Sequence, residues 1–146
     1  MAVDKSIQPQ VIRLKTQLVK KGRSRILLSE TGNSTFRIHC YATGTGENAL
    51  HAHLNEDHTF VVLQGAATFT GIDEKPFTLG KNHAIVLPKG CFYQFANYGA
   101  EPLVMIRFGA HAEKYDHRIN PDGEQIGGRA SERYGEPELI ENAFFE

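Results

Sequence analysis

The chain has 146 residues, a formal net charge of −1 and 40% hydrophobic residues. That suits one domain folding without staples, since a chain of this length buries about two thirds of its unfolded surface. Cys40 and Cys91 are too few for a disulfide framework and stand in no zinc-ribbon spacing, so we expect a reduced, cytoplasmic protein. The near-neutral charge offers no overall field to nucleic acid or an anionic membrane, and no apolar stretch reads as a signal peptide or a bilayer span.

In chain order, the first extended segments are Val11 to Leu18 and Arg25 to Leu28. Lys20, Lys21, Arg23 and Arg25 surround Gly22 with no aromatic residue to stack on a base, which reads as a solvated turn and not a binding patch. TGNS at 31–34 turns into a strand from Thr35 to Ala42, where Phe36, Ile38 and Cys40 alternate with Arg37, His39 and Tyr41; one face is expected in the core. TGTGEN at 43–48 reads as loop, and a strand from Leu50 to Leu54 follows with two histidines, His51 and His53. After the polar 55–57 comes the most strongly patterned strand, His58 to Leu63, stopped by Gln64 and Gly65. Ala67 to Thr70, Phe77 to Leu79, Ala84 to Leu87, Phe92 to Ala96 and Pro102 to Phe108 complete the run, separated by Gly- and Pro-bearing turns.

Eight or more strands with no helix between them predict an all-β fold with antiparallel connections, closed or doubled so that few edges stay exposed. We divide the chain into N-terminal strands at 1–34, a barrel at 35–109 and a tail at 110–146. Leu139, Ile140, Phe144 and Phe145 are too apolar to face water, so the tail is expected to pack on the barrel or on a second subunit. Apolar segments at both ends predict a homodimer.

His51 and His53, two apart on a strand, project to one face about 7 Å apart along it. His58 opens the next strand, and an antiparallel return brings it beside the pair. Taken alone, a His-x-His pair reads first as a polar strand edge facing water. Three neutral imidazoles would suit iron, zinc, nickel or copper rather than magnesium or calcium. Parity places His58, Phe60, Val62 and Gln64 on one face, with Asp57, and less so Glu56, as the rival source of a ligand. Of the remaining histidines, His83 reads as surface, His39 lies opposite the Ile38 face, and His111 and His117 belong to the tail. Cys91 reads as structural or incidental.

The stretch HAHLNEDHTFVVLQG at 51–65 resembles the first cupin motif, G-x(5)-H-x-H-x(3,4)-E-x(6)-G, and LPKGCFYQFAN at 87–97 resembles the second, G-x(5)-P-x-G-x(2)-H-x(3)-N. His51, His53 and Gly65 match the first, and Pro88, Gly90 and Asn97 the second. The resemblance implies a cupin double-stranded β-helix of jelly-roll type, a barrel holding one divalent transition metal. Iron or zinc lead, with nickel, manganese or copper as alternatives. Where the family places a glutamate this chain has His58, where it places the last histidine it has Tyr93, and Thr45 and Asn82 replace the opening glycines. Asn82 tolerates the left-handed turn that a glycine would supply.

The implied site is therefore a neutral cluster of His51, His53 and His58. Tyr93 is read as wall, ligand or proton donor, and Phe60, Val62, Gln64, Phe95 and Asn97 as lining. Three histidines leave open positions on iron for a chelating substrate and dioxygen, so dioxygenase-like oxidation of a small organic molecule is the leading expectation. The alternatives are a small-molecule binding or sensing module without turnover, and a zinc-dependent isomerase or cyclase.

Overall fold

The computed structural model describes residues 2–111, 116–126 and 135–146, and among them every regular element is a strand. In chain order these are β1 (Thr16–Lys21), β2 (Arg23–Glu30), β3 (Ser34–Tyr41), β4 (Gly46–His53), β5 (Glu56–Gln64) and β6 (Ala67–Gly71), followed by β7 (Phe77–Leu79), β8 (Ala84–Leu87), β9 (Tyr93–Ala96), β10 (Leu103–His111), β11 (Arg118–Ile119) and β12 (Glu138–Phe145). Two five-stranded sheets, ordered β2-β3-β10-β5-β8 and β11-β4-β9-β6-β7, stand beside a separate two-stranded β1-β12 ribbon. The pairings between strands are antiparallel, as expected where short turns replace crossover helices.

Strand parity sorts the residues into two cores. Tyr41, Phe60, Val62, Leu87, Leu103 and Met105 from the first sheet meet Ala67, Phe69, Tyr93 and Phe95 from the second. The Phe60 and Phe95 rings lie 5.4 Å apart and those of Tyr41 and Phe95 5.1 Å, edge to face. On the opposite face of the first sheet, Ile38, Cys40, Val104 and Ile106 pack with Val19 of β1 and Phe145 of β12. Both faces of β3 are thus buried, where the alternation alone assigns only one to the core. The terminal ribbon covers the outer face as a lid of side chains. Each large ring or branched side chain taken out of water contributes about 2 kcal/mol.

Several expected boundaries move. The first strand begins at Thr16, and Val11 is fully exposed. Gly22 has a φ of 81°, and its carbonyl accepts bonds from Ala42 N–H and the Thr45 hydroxyl, so it is a buried corner between β1 and β2. Arg23 beside it is buried, which corrects the reading of the whole basic cluster as a solvated turn. Strand β4 begins at Gly46, inside the segment read as loop. Asn82 does take the left-handed conformation, with φ of 70°.

Gly46 explains why β4 starts early. A Cβ there would sit 2.1 Å from the Phe95 carbonyl oxygen, so only glycine lets β4 approach β9 closely enough to pair. Gly46→Ala should therefore lower stability by about 2 kcal/mol or more, measured by urea denaturation. Gly80→Ala, where nothing lies within 4 Å of the added carbon, should stay within about 1 kcal/mol of the parent.

Candidate metal centre

Strands β4, β5 and β9 bring the implied residues together. His51 lies directly opposite Tyr93, while three residues of β4, 48–50, bulge out of register with β9. The bulge turns the Ala49 carbonyl onto His51 Nδ1 at 2.6 Å. His53 Nδ1 is hydrogen-bonded to the Asp116 carboxylate, which β11 carries to β4 and which also accepts the Asn55 N–H at 3.0 Å. His58 Nε2 lies 3.1 Å from Glu56 Oε1. Gly109, opposite His58, makes room for that carboxylate, since a Cβ there would lie 3.0 Å from Glu56 Oε1.

Each imidazole is thus held through one nitrogen; the second nitrogens of His53 and His58 approach the Tyr93 hydroxyl, and that of His51 approaches Glu47. His53 Nε2 is 3.3 Å and His58 Nδ1 3.4 Å from the Tyr93 hydroxyl, Glu47 Oε2 is 3.4 Å from the same hydroxyl, and His51 Nε2 is 3.6 Å from Glu47 Oε2. These separations are long for hydrogen bonds to a hydroxyl. His51 Nε2 is buried without a hydrogen-bond partner, an expensive arrangement unless something ligates it. His53, His58 and Asp116 also offer one donor atom each within 4.8 Å of one another, a set able to coordinate a divalent metal.

Electrostatics keep the donors in ligating form. Burial pushes His51 and His58 below the usual imidazole range, although Glu47 and Glu56 pull the other way, so both are neutral at pH 7. Burial also opposes ionisation of Glu47, but His51, Arg23, Arg25 and His53 together hold its carboxyl below the ordinary value. Asp116 is lowered in the same manner, its burial outweighed by the bonds from His53 and Asn55. Burial and the Glu47 charge raise Tyr93 well above a normal phenol, so it stays protonated.

The cluster is therefore not the neutral three-histidine set read from the sequence. Glu47 stands within it, hidden from sequence reading because 43–48 looked like loop. Asp116 was hidden because it lies 63 residues from its partner His53. Asp57 is exposed and accepts the Lys89 N–H, away from the cluster. Phe60, Val62 and Phe95 do line the inner core beside it. Gln64 does not: the β5–β10 register slips between Met105 and Val104, setting Gln64 opposite the outer-face Val104 with its amide on the Pro102 carbonyl. Asn97 is also structural, its amide donating to the Tyr41 and Glu101 carbonyls and its oxygen accepting the Gly99 N–H. The turn after Pro88 serves the site through its backbone, Gly90 N–H donating to the His53 carbonyl at 2.7 Å. His83 is exposed, whereas His39 is buried on the inner face.

A family model described as the cupin domain matches residues 37–108. The uncharacterized protein YdbB of Bacillus subtilis (strain 168) is 29% identical over 80 residues, which are 55% of this chain and 68% of YdbB. A Klebsiella pneumoniae protein with a double-stranded β-helix domain superposes with a TM-score of 0.60 at 19% identity, over 68% of this chain and 85% of that one. KdgF from Halomonas sp. gives 0.57 at 17% identity, over 64% and 82%. At such identities the structures speak for the fold alone.

His39 supplies a stability test. Burial, reinforced by Arg107, Arg25, Arg37 and Arg23, holds its imidazole well below 6.5. The unfolded chain takes up that proton near pH 6.5 while the folded chain resists it. Stability is therefore complete above that pH and falls as the pH drops below it. The urea midpoint should decline between pH 7 and pH 5.5, and His39→Gln, which cannot titrate, should flatten the decline. An unchanged slope in the variant would show that His39 is not responsible.

Proposed function

The chain belongs to the cupin superfamily, and from that premise we propose that it is a metal-dependent enzyme oxidising a small organic molecule in a dioxygenase-like reaction. The observation that supports this reading is the approach of His53 Nε2, His58 Nδ1 and Glu47 Oε2 to the Tyr93 hydroxyl, with the unpartnered His51 Nε2 3.6 Å from Glu47 Oε2 and His53, His58 and Asp116 grouped as a set able to hold an ion. In this reading the first sheet and its partner close as a jelly-roll barrel, and the protein works in the cytoplasm as a homodimer. Exposed Ile26 and Leu27 on the edge strand β2 support the dimer, because β1 and β12 are already engaged with each other.

His51, His53 and His58 would hold the ion, with Glu47 supplying the charge that three imidazoles lack. An ion bound there would supply Lewis acidity and, if it is iron, a redox centre with positions left for substrate and dioxygen. Asp116 and Glu56 orient His53 and His58 and raise their basicity. Tyr93 keeps its proton and can present it to an oxygen of the substrate. Phe60, Phe69 and Phe95 exclude water from the floor of the site.

Elemental analysis of the purified protein should find about one divalent transition metal per chain. His51→Ala and His53→Ala should lose most of it, and His58→Ala should lose it while Asp57→Ala keeps it. Asp116→Asn should weaken affinity by about 10–100-fold. Full metal content in both His53→Ala and His58→Ala would sink the assignment. With ferrous iron loaded, oxygen uptake is expected with at least one member of a panel of diketones, thiols and catechols. Tight binding of a panel member without uptake would instead mark a storing or sensing module.

Sedimentation at micromolar concentration should give a dimer. A single species of 16.3 kDa would refute that part of the reading.

A further inference from the structure

Next to the metal centre, the inner face of the first sheet carries an unusual set of cations. Arg37 on β3 is the direct cross-strand partner of Arg107 on β10. On the next row Arg25 of β2 faces His39 of β3. Like charges placed directly opposite each other destabilise a sheet, and β3 and β10 pair in register from Leu103 to Ala110, so the strands cannot slide to separate them. The three guanidiniums raise one another's cost further: burial, then Arg107 and Arg25, lowers Arg37 below the usual guanidinium value. Arg23, buried one row away, adds to the same field.

Glu47 and Glu56 act on Arg25 and Arg107 through space, but no carboxylate of the described residues makes a direct ion pair with the three guanidiniums. Among the described residues the ion pairs use Glu146, Glu138, Glu47, Asp116 and Glu56, and none involves Arg25, Arg37 or Arg107. Glu30 and Glu56 act on Arg37 only at a distance. Arg107 reaches the Thr35 hydroxyl at 3.3 Å and lies 3.2 Å from His58 Nε2, while its own Nε is buried without a partner. At the centre of the group is His39, 1% exposed. Its Nδ1 is bonded to the Tyr41 hydroxyl at 2.8 Å, and its Nε2 is also buried without a partner. Arg25 is exposed at the sheet edge, so the cluster runs from solvent inward to His58.

We propose that Arg25, Arg37 and Arg107, with the unpartnered Nε2 of His39, form a subsite for the oxyanion, carboxylate or phosphate, of a small organic acid whose other end reaches the metal centre. Guanidiniums recognise either oxyanion through paired N–H donors, and a protonated Nε2 of neutral His39 would add a fourth. Occupation relieves the repulsion between Arg37 and Arg107 and satisfies the buried Arg107 Nε and His39 Nε2. The contact of Arg107 with His58 makes the subsite contiguous with the proposed metal ligands. The inference rests on the proposed function for the second half of the substrate, but the oxyanion subsite itself needs no metal.

The test is calorimetry and thermal unfolding of the full chain with malonate, inorganic phosphate and neutral malonamide, on the protein as isolated and after chelation. Malonate or phosphate, or both, should bind and raise the melting temperature with and without metal, and malonamide should not; which oxyanion is preferred identifies the group. Arg25→Gln and Arg37→Gln should each weaken oxyanion binding about tenfold or more, Arg37→Gln with metal content unchanged. Arg37→Gln should also melt higher than the parent without anion, because one of two opposed charges is gone. Binding of neither oxyanion, equal binding by Arg37→Gln, or binding abolished by chelation and untouched by Arg37→Gln would each overturn the proposal. Absence of metal from the parent protein would instead count against the enzyme reading and leave the oxyanion result standing.

Discussion

Burying an imidazole between two sheets forces each of its nitrogens to find a partner, and most of this molecule's inner architecture answers that demand. His51 is held by the Ala49 carbonyl, His53 by Asp116, His58 by Glu56 and His39 by the Tyr41 hydroxyl. Each bond fixes a ring orientation and uses one nitrogen only. For three of the four rings the second nitrogen turns toward Tyr93 or Glu47, and there a donor shell results. For His39 it stays buried without a partner. Desolvation thus does two things at once: it keeps the rings neutral and makes their vacant nitrogens costly to leave vacant.

The sheets that impose this burial depend in turn on layers contributed by both ends of the chain. The β1-β12 ribbon seals the outer face of β3 and β10 with Val19 and Phe145. The inner face of the same strands is then free to carry polar groups, because hydrophobic burial on the outer side holds the strands in place. Backbone devices complete the arrangement: Gly46 admits the close approach of β4 to β9, Gly109 admits Glu56, and Gly90 ties the turn after Pro88 to the His53 carbonyl.

Charge is distributed unevenly across this interior. Acidic groups cluster on the histidine side, each against an imidazole, while basic groups line β2, β3 and β10. A net charge of −1 conceals that separation entirely. On the proposed reading, a ligand between the two sides would meet cations at one end and histidine nitrogens at the other, an environment suited to a small polar molecule.

Most strands of the central region, and the inward face shared by His51 and His53, were legible from sequence because period-two alternation and Gly and Pro punctuation are local properties. Parity also favoured His58 over Asp57 as the inward-facing residue, and His58 is the buried one of the two. Register and partner choice were not local, and there tertiary structure decided. Glu47 entered the centre because Gly46 let β4 begin early. Asp116 entered because β11 returned to β4, and Gln64 left because a bulge reversed its side. Arg37 and Arg107 came face to face because β3 pairs with β10, a juxtaposition across 70 residues that no spacing motif records. Alternation says which residues share a face of one strand, whereas the charge and ligand chemistry of a pocket depend on which strands stand beside it.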